Sequence, residues 1–466
     1  MPFPDSAVGR EVGRQEPRDL GLFPCRSKLR ENVKQGLSND RHLRRNGVTP
    51  NDRKVLVIGG GMSGLTTALE AAESGAQVVI VERSPYLGGR VTQLNKYFPK
   101  LCPPTCGLEI NFRRIKTNPD ITFYTLAEVT QISGQEGDFD VTIKIKPRYV
   151  NDNCVACNKC AEVCPVERVN DFNYGLDKNK AAYLPFDMAF PLKYVIDDSV
   201  CLGSACAKCV EACAYNAIDL AMQPQTVNLK VGAIALAGGW DLYDATKIDN
   251  LGFGTVKNVI TNMQMERLAS PNGPTEGRIL RPSDGQEPKN VAFVQCAGSR
   301  DENHLPYCSY ICCMASLKQV TYLREQDPEA KASIFYIDIR SPGRYEKFFW
   351  KVRDDENVEL IRGKVAKITQ EPGTDNVIVE AEDTTTGDKI HQTFDLVVLA
   401  VGMVPATKAM KLPLNISYTE DGFILPASLP PGVYAVGSLK SPLDVAKSVQ
   451  EGTGAAIKCL QSLGGR

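Results

Sequence analysis

Histidine is nearly absent: His42, His304 and His391 are the only three in a chain of 466 residues. That scarcity argues against catalysis by a histidine acid–base and leaves no ligand set for a histidine-bound haem. Net charge is lacking as well, since 54 Lys and Arg face 55 Asp and Glu for a formal charge of -1. Nothing therefore marks the chain as a dedicated nucleic-acid binder. No apolar run approaches the roughly 18 residues that a membrane-spanning helix needs. Met1 to Arg14 carries charges where a signal peptide would place its apolar segment. A cytoplasmic location is expected, with membrane contact only through other proteins.

What is present is length and cysteine. A chain of 466 residues exceeds what one hydrophobic core usually serves and implies two or three domains. Sixteen cysteines in a reducing compartment are poorly explained as disulfides, and their clustering points to metal ligands or redox thiols. Residues 1–52 carry more basic than acidic side chains, no apolar periodicity, and turn formers such as Pro17, Gly36 and Asn39. They read either as a mobile basic arm or as a segment that docks on a partner.

From Lys54 the pattern changes to strand, helix, strand: Lys54 to Ile58, a helical stretch with Leu65, Leu69 and Ala72, then Val78 to Val81. Further strands are expected at Thr122 to Phe139 and Val141 to Lys146. Cysteine-rich sequence from about Pro147 to Met222 interrupts the pattern. Strand signals return at Val231 to Ala237, Asn290 to Val294, Ala332 to Ile337 and Leu396 to Ala400.

Between the first strand and helix stands Gly-x-Gly-x-x-Gly, at Gly59, Gly61 and Gly64. The first glycine permits a tight turn and the second lets backbone approach a pyrophosphate. The third lets helix and strand pack closely, with the helix N-terminus facing the phosphates. Glu82 ends the next strand, where a carboxylate can accept hydrogen bonds from an adenosine ribose, and Arg83 follows it. Gly88-Gly89-Arg90 resembles the second glycine turn of flavoproteins with two dinucleotide-binding domains, and Val433 to Gly437 resembles their strand that reaches the flavin. FAD is therefore expected. Ser438 stands where that family usually has an acid.

Cys154-x2-Cys157-x2-Cys160-x3-Cys164-Pro165 is the run of bacterial two-cluster ferredoxins, in which the fourth cysteine serves the other cluster. Cys201-x4-Cys206-x2-Cys209-x3-Cys213 is its counterpart, with two extra residues in the first gap and Ala214 in place of proline. One [4Fe-4S] cluster is expected on Cys154, Cys157, Cys160 and Cys213, and another on Cys201, Cys206, Cys209 and Cys164. Such spacing is not that of zinc sites. A two-electron flavin fused to one-electron clusters makes a converter between paired and single electrons.

A second nucleotide-type domain should open with another glycine fingerprint, yet Gln295-Cys-Ala-Gly-Ser-Arg300 follows the strand at Asn290. The nicotinamide site is read as lost. Cys308, Cys312 and Cys313 join Cys296, either as ligands of a third cluster or as a buried group of free thiols. Cys102-x3-Cys106 reads either as a redox pair near the flavin ring or as two unreactive thiols constrained by Pro103 and Pro104. Cys25 and Cys459 read as packing residues.

The order of flavin fingerprint, inserted ferredoxin run, Cys-Ala-Gly-Ser-Arg and Cys-x3-Cys-Cys-Met resembles the A-subunit of heterodisulfide reductase from Lys54 onward. Lys96 to Arg114 and Asp171 to Pro191 resemble most closely the A-subunit of the quinone-interacting membrane-bound oxidoreductase complex. The resemblance implies a cytoplasmic FAD and iron–sulfur subunit beside two partners, a second flavoprotein and a haem-bearing membrane protein, linking adenylylsulfate reductase to the quinone pool. It also makes the cysteines at 296, 308, 312 and 313 similar to the unusual cluster ligands of the heterodisulfide reductase flavoprotein. Two alternatives are the heterodisulfide reductase A-subunit proper, with or without electron bifurcation, and a stand-alone NAD(P)H-dependent flavin disulfide reductase. A third is a scaffold with degenerate cofactor sites.

The expected fold is α/β: two tandem Rossmann-like domains, similar to the thioredoxin reductase FAD/NAD(P) fold, with an inserted 2[4Fe-4S] ferredoxin-like module. The expected segments are 53–146 and 223–285 for the FAD-binding domain and connector, with 147–222 as the insert. Segment 286–395 is expected to form the second nucleotide-type domain, and 396–466 the C-terminal part of the FAD-binding domain.

Overall fold

The computed structural model describes residues 54–464. The basic extension 1–52, with Cys25 and His42, lies outside the described residues.

Two five-stranded parallel sheets organise the chain. The first runs, edge to edge, through Val433–Ala435, Ala233–Leu236, Lys54–Ile58, Gln77–Val81 and Ile121–Tyr124. The second runs through Val259–Thr261, Leu396–Val401, Asn290–Ala297, Lys331–Tyr336 and Val358–Arg362. The central strands are almost uniformly apolar and buried, as parallel strands covered on both faces must be. Each sheet is accompanied by a three-stranded antiparallel one: Ala127–Gln135, Asp138–Ile145 and Gln225–Val231 in the first half, Val365–Gln370, Val377–Glu382 and Lys389–Phe394 in the second. The same plan is thus used twice. Trp240–Leu242 pairs antiparallel with Met403–Pro405 where the chain passes between the two halves.

Two expectations are corrected by this topology. Thr122 to Phe139 is not one strand: Leu126, at φ 55, and the Gly134–Gly137 turn, with both glycines at positive φ, break it into three. The segment from 396 does not begin the C-terminal part of the FAD-binding domain, because Leu396–Val401 is a central strand of the second sheet and Val259–Thr261 already forms its edge. Only Val433–Ala435 returns to the first sheet.

The cysteine-rich insert leaves and re-enters at one point. Ile145 lies opposite Gln225 across the antiparallel ladder, so the whole module grows from the tip of a hairpin and leaves the sheet's register intact. Inside it the two cysteine runs fold alike. Lys159–Glu162 and Lys208–Glu211 are single helical turns, each preceded by a residue in the left-handed region, Asn158 and Ala207. The two extra residues of the second run are taken up by the 3-10 turn Gly203–Ala205. The C-terminal helix Val445–Gly464 crosses Met62–Glu73 closely enough that a Cβ on Gly452 would stand 2.7 Å from the Ser63 carbonyl oxygen. Cys459 is fully buried in that packing, and its thiol is pushed up to about 12 by burial.

Candidate functional site

The glycine turn ends the strand Lys54–Ile58 and opens the helix Met62–Glu73, whose N-cap, Gly61, offers no side-chain hydrogen bond. The first amides of that helix are thereby free for an anion. Each glycine is required for a different reason. A Cβ on Gly59 would strike the Ala237 carbonyl oxygen at 2.3 Å, and one on Gly64 the Gly59 carbonyl oxygen at 1.9 Å. Gly61 differs, since the nearest atom to its Cβ, the Gly89 Cα, is 3.9 Å away. Its missing side chain leaves room for a ligand, not for protein. Glu82 is buried and fixed by both oxygens, accepting from the Gly60 amide at 2.6 Å and the Ser84 amide at 2.7 Å. The Gly88 amide donates to the Gly60 carbonyl at 2.7 Å, which seats the second glycine turn against the first.

Gly61, Glu82, Arg83, Gly89, Arg90 and Ser438 stand in the wall of a cleft of about 440 Å³, while Gly59, Gly64 and Gly437 shape the turns behind that wall without lining it. Arg83 and Arg90 both pair with Asp241, and Arg90 also donates to the Trp240 carbonyl. Glu451 of the C-terminal helix accepts from the Gly437 amide at 2.8 Å and pairs with Lys440 at 2.9 Å, which fixes the turn that carries Ser438. The cleft's size, its free helix N-terminus and the open space at Gly61 fit a dinucleotide such as FAD.

Beyond Arg90, Val91 and Trp240, which both share, lies a more apolar cavity of about 140 Å³, walled by Leu94, Phe98, Met263 and Tyr345. Its polar wall is a buried group that sequence reasoning missed. Lys318 and Glu266 pair at 3.1 Å with almost no solvent contact, and Gln319 donates to Glu266 at 2.7 Å while its own Oε1 has no partner. An unpartnered acceptor in an apolar cavity is suited to a donor from a bound ring system. Helical spacing places Lys318 and Gln319 near the preceding cysteines, yet nothing local reveals that Glu266 meets them.

The ferredoxin-like cysteines fall into two groups. Cys154, Cys157, Cys160 and Cys213 ring one small cavity, and Cys164, Cys201, Cys206 and Cys209 ring another. Among the described residues no three His, Cys, Asp or Glu side chains close on a point that would seat one ion; each quartet encloses a space instead. The Cys160 thiol is pushed up to about 12, first by burial and then by the neighbouring charge of Cys154, with a smaller contribution from Cys209 of the other quartet. The quartets are therefore neighbours. Backbone amides point at their sulfurs, from Gly203 to Cys201 at 3.4 Å and from Ala217 to Cys213 at 3.3 Å, as in sites where N–H···S bonds tune a cluster.

In the second half, the strand Asn290–Ala297 has Cys296, its next-to-last residue, at φ 55, and the helix Cys312–Gln326 begins with Cys312 and Cys313 where a nicotinamide site would present free amides. A Cβ on Gly402 would meet Ser299, Leu305 and Ser309 side chains at 2.5–2.8 Å, so the space beside this turn is filled by protein. Cys296, Cys312 and Cys313 are buried and Cys308 half-buried. Burial, followed by the charges of Cys296, Cys313 and Cys308, raises the Cys312 thiol well above its ordinary value; burial and Cys313 push Cys296 up to about 11. Four thiols this close can all ionise only around a strongly positive group, the donor chemistry of an iron–sulfur cluster. Ile311 and Met314, flanking the adjacent cysteines, line the apolar cavity.

Cys102 and Cys106 lie behind Tyr97, a residue of the apolar cavity's wall, and do not line the cavity themselves. Neither borders the cleft or the apolar cavity. Cys106 is exposed in the first turn of the helix Pro104–Thr117, and both thiols act on Tyr97, whose hydroxyl is pushed up by burial and then by their charges. Pro104 is the first residue of that helix.

Residues 54–107 match the family described as FAD dependent oxidoreductase. The chain is 42% identical over 423 residues to an iron–sulfur A-subunit of the CoB–CoM heterodisulfide reductase of Methanopyrus kandleri, covering 88% of this chain and 64% of that protein. It is 38% identical over 420 residues to the A-subunit of the H(2):CoB-CoM heterodisulfide,ferredoxin reductase of Methanothermobacter thermautotrophicus, covering 87% and 63%. The chain thus spans slightly less than two thirds of these relatives' length. The thioredoxin reductase of Lactococcus lactis superposes with a TM-score of 0.49 at 13% identity, over 88% of this chain and 99% of that one. With its glycine-turn cleft and its parallel sheets, the chain has the fold of an FAD-dependent oxidoreductase, and over most of its length its sequence is similar to heterodisulfide reductase A-subunits.

Proposed function

We propose that the chain is the FAD and iron–sulfur electron-transfer subunit of a heterodisulfide reductase-like, quinone-interacting complex, carrying electrons between adenylylsulfate reductase and the quinone pool. The observation that carries the electron-transfer reading is adjacency: Tyr183 in the cleft wall is next in sequence to Ala182, which lines one quartet's cavity, and Ile311 and Met314 in the wall of the apolar cavity flank Cys312 and Cys313. When bound, FAD would supply exchange between paired and single electrons, and cubanes on the three quartets would supply single-electron relays.

The residues' own part is to bind and orient. The helix at Gly61 and the Glu82 carboxylate hold the nucleotide, Arg90 fixes the junction between cleft and cavity, and the thiolates of Cys154 to Cys213 and Cys296 to Cys313 hold the clusters. Lys318 and Glu266 hold a buried ion pair in the wall of the apolar cavity. The quinone-linked assignment, with its second flavoprotein and haem-bearing membrane partners, is favoured by the resemblance of Lys96 to Arg114 and Asp171 to Pro191. Among the described residues no helix is long and apolar enough to cross a membrane, so membrane contact is assigned to the partners.

The test is anaerobic reduction of the purified protein. NADPH or NADH alone is expected to leave the flavin absorbance unchanged over minutes, whereas a one-electron donor such as reduced viologen bleaches both flavin and cluster bands. Rapid bleaching by NADPH would support the self-sufficient reductase instead.

A further inference from the structure

Between its two cysteine runs the insert does something a ferredoxin module alone does not require. The stretch from Glu167 to Pro191 lies along the dinucleotide cleft, and Arg168, Asn170, Phe172 and Tyr183 are in the cleft's wall. It is held there from several sides. Tyr86, from the loop after Glu82, packs edge-on against Phe172 and Phe186. The Leu87 amide donates to the Phe190 carbonyl at 2.8 Å, and the Tyr174 hydroxyl to Gln93 at 2.8 Å. Arg168 is tied within the insert to Asp197 at 2.7 Å, and its guanidinium lies over the Tyr183 ring at 4.6 Å.

The back of this strap faces a cluster site. Ala182 and Val166 line the cavity ringed by Cys164, Cys201, Cys206 and Cys209, while Tyr183, next in the two-residue strand Ala182–Tyr183, lines the dinucleotide cleft. Consecutive residues of a strand face opposite sides, so one short strand separates nucleotide from cluster. The other quartet's cavity has no such neighbour in the cleft.

We propose that the insert supplies one wall of the FAD site through Tyr183 and Arg168, and that FAD affinity is thereby linked to the building of the cluster on Cys164, Cys201, Cys206 and Cys209. This rests on the reading of the cleft as an FAD site. A wall that is ordered only when its backing is filled binds ligand more tightly once that backing is in place, with no contact between the two ligands needed. Tyr183 is a binding residue whose aromatic face and phenol meet the nucleotide; Arg168 holds that face in place.

The test is FAD affinity, by fluorescence titration of the apo-flavin holo-cluster protein, together with iron per chain. Tyr183→Ala is expected to weaken FAD by about tenfold, the loss of one aromatic contact, with iron unchanged. Cys206→Ala is expected to weaken FAD while Cys157→Ala does not. FAD affinity equal to the parent in both Tyr183→Ala and Cys206→Ala would overturn the inference, as would loss of iron together with FAD in Tyr183→Ala, which would make the ring a prop of the module. A parent chain that binds no FAD at all would overturn the cleft's assignment instead, and Gly61→Val serves as the reference for a lost cleft.

Discussion

Gly61→Val is expected to yield a folded protein that keeps its iron and holds no flavin. The geometry separates this glycine from its neighbours. Its φ of -78° suits any residue, and a Cβ there meets no protein atom nearer than 3.9 Å. The cost to the fold is that of a poor N-cap, about 1 kcal/mol. Two further methyl groups would project into the space that a pyrophosphate needs at the helix N-terminus, and FAD affinity should fall by about a hundredfold or more, roughly 3 kcal/mol. Gly64→Val, by contrast, drives a side chain into the Gly59 carbonyl and should lower the melting temperature as well. Equilibrium dialysis against FAD and a thermal melt distinguish the two. Full flavin occupancy in Gly61→Val would show that the cleft does not take a dinucleotide in the expected pose.

Cys157→Ala carries the other large effect. Cys157 is exposed at the cavity shared with Cys154, Cys160 and Cys213, and no residue of that cavity also borders the dinucleotide cleft. Removal of this thiolate should cost the cluster on that quartet, lowering iron by about four per chain and leaving flavin occupancy as in the parent. Cys213→Ala should produce the same loss although it lies in the other cysteine run, because the fourth ligand is exchanged between runs. Iron and acid-labile sulfide assays with low-temperature EPR read the outcome. An equal loss from Cys164→Ala and Cys157→Ala of one and the same EPR signal would contradict the exchanged assignment.

Local patterns were legible in the sequence, and long-range ones were not. The glycine turn, Glu82 and the cysteine spacings sit within single strand–helix or loop units, where geometry follows from a few adjacent residues. The grouping of Cys213 with the first run and Cys164 with the second was readable because two similar runs fold alike and face each other. The boundary at 396 was misplaced for a physical reason: Leu-Val-Val-Leu-Ala-Val is the composition of any strand buried on both faces, and it is equally at home in either sheet. The pairing of Glu266 with Lys318 and the place of the Asp171 to Pro191 segment beside the cleft are not legible in the sequence because their partners are distant in the chain. Ion pairing between Glu266 and Lys318 is visible only once helices Asn262–Ala269 and Cys312–Gln326 are packed together. For Cys102 and Cys106 the spacing alone does not tell a redox pair from two unreactive thiols; both lie against Tyr97, which lines the apolar cavity.

The most direct measurement is metal, sulfide and flavin content of protein purified without oxygen. Thiolate quartets at three places and one dinucleotide cleft should give about twelve iron atoms, a matching amount of sulfide, and one FAD per chain. Zinc in stoichiometric amount with no sulfide, or a colourless protein whose cysteines all react with a thiol reagent before any denaturant is added, would contradict the account.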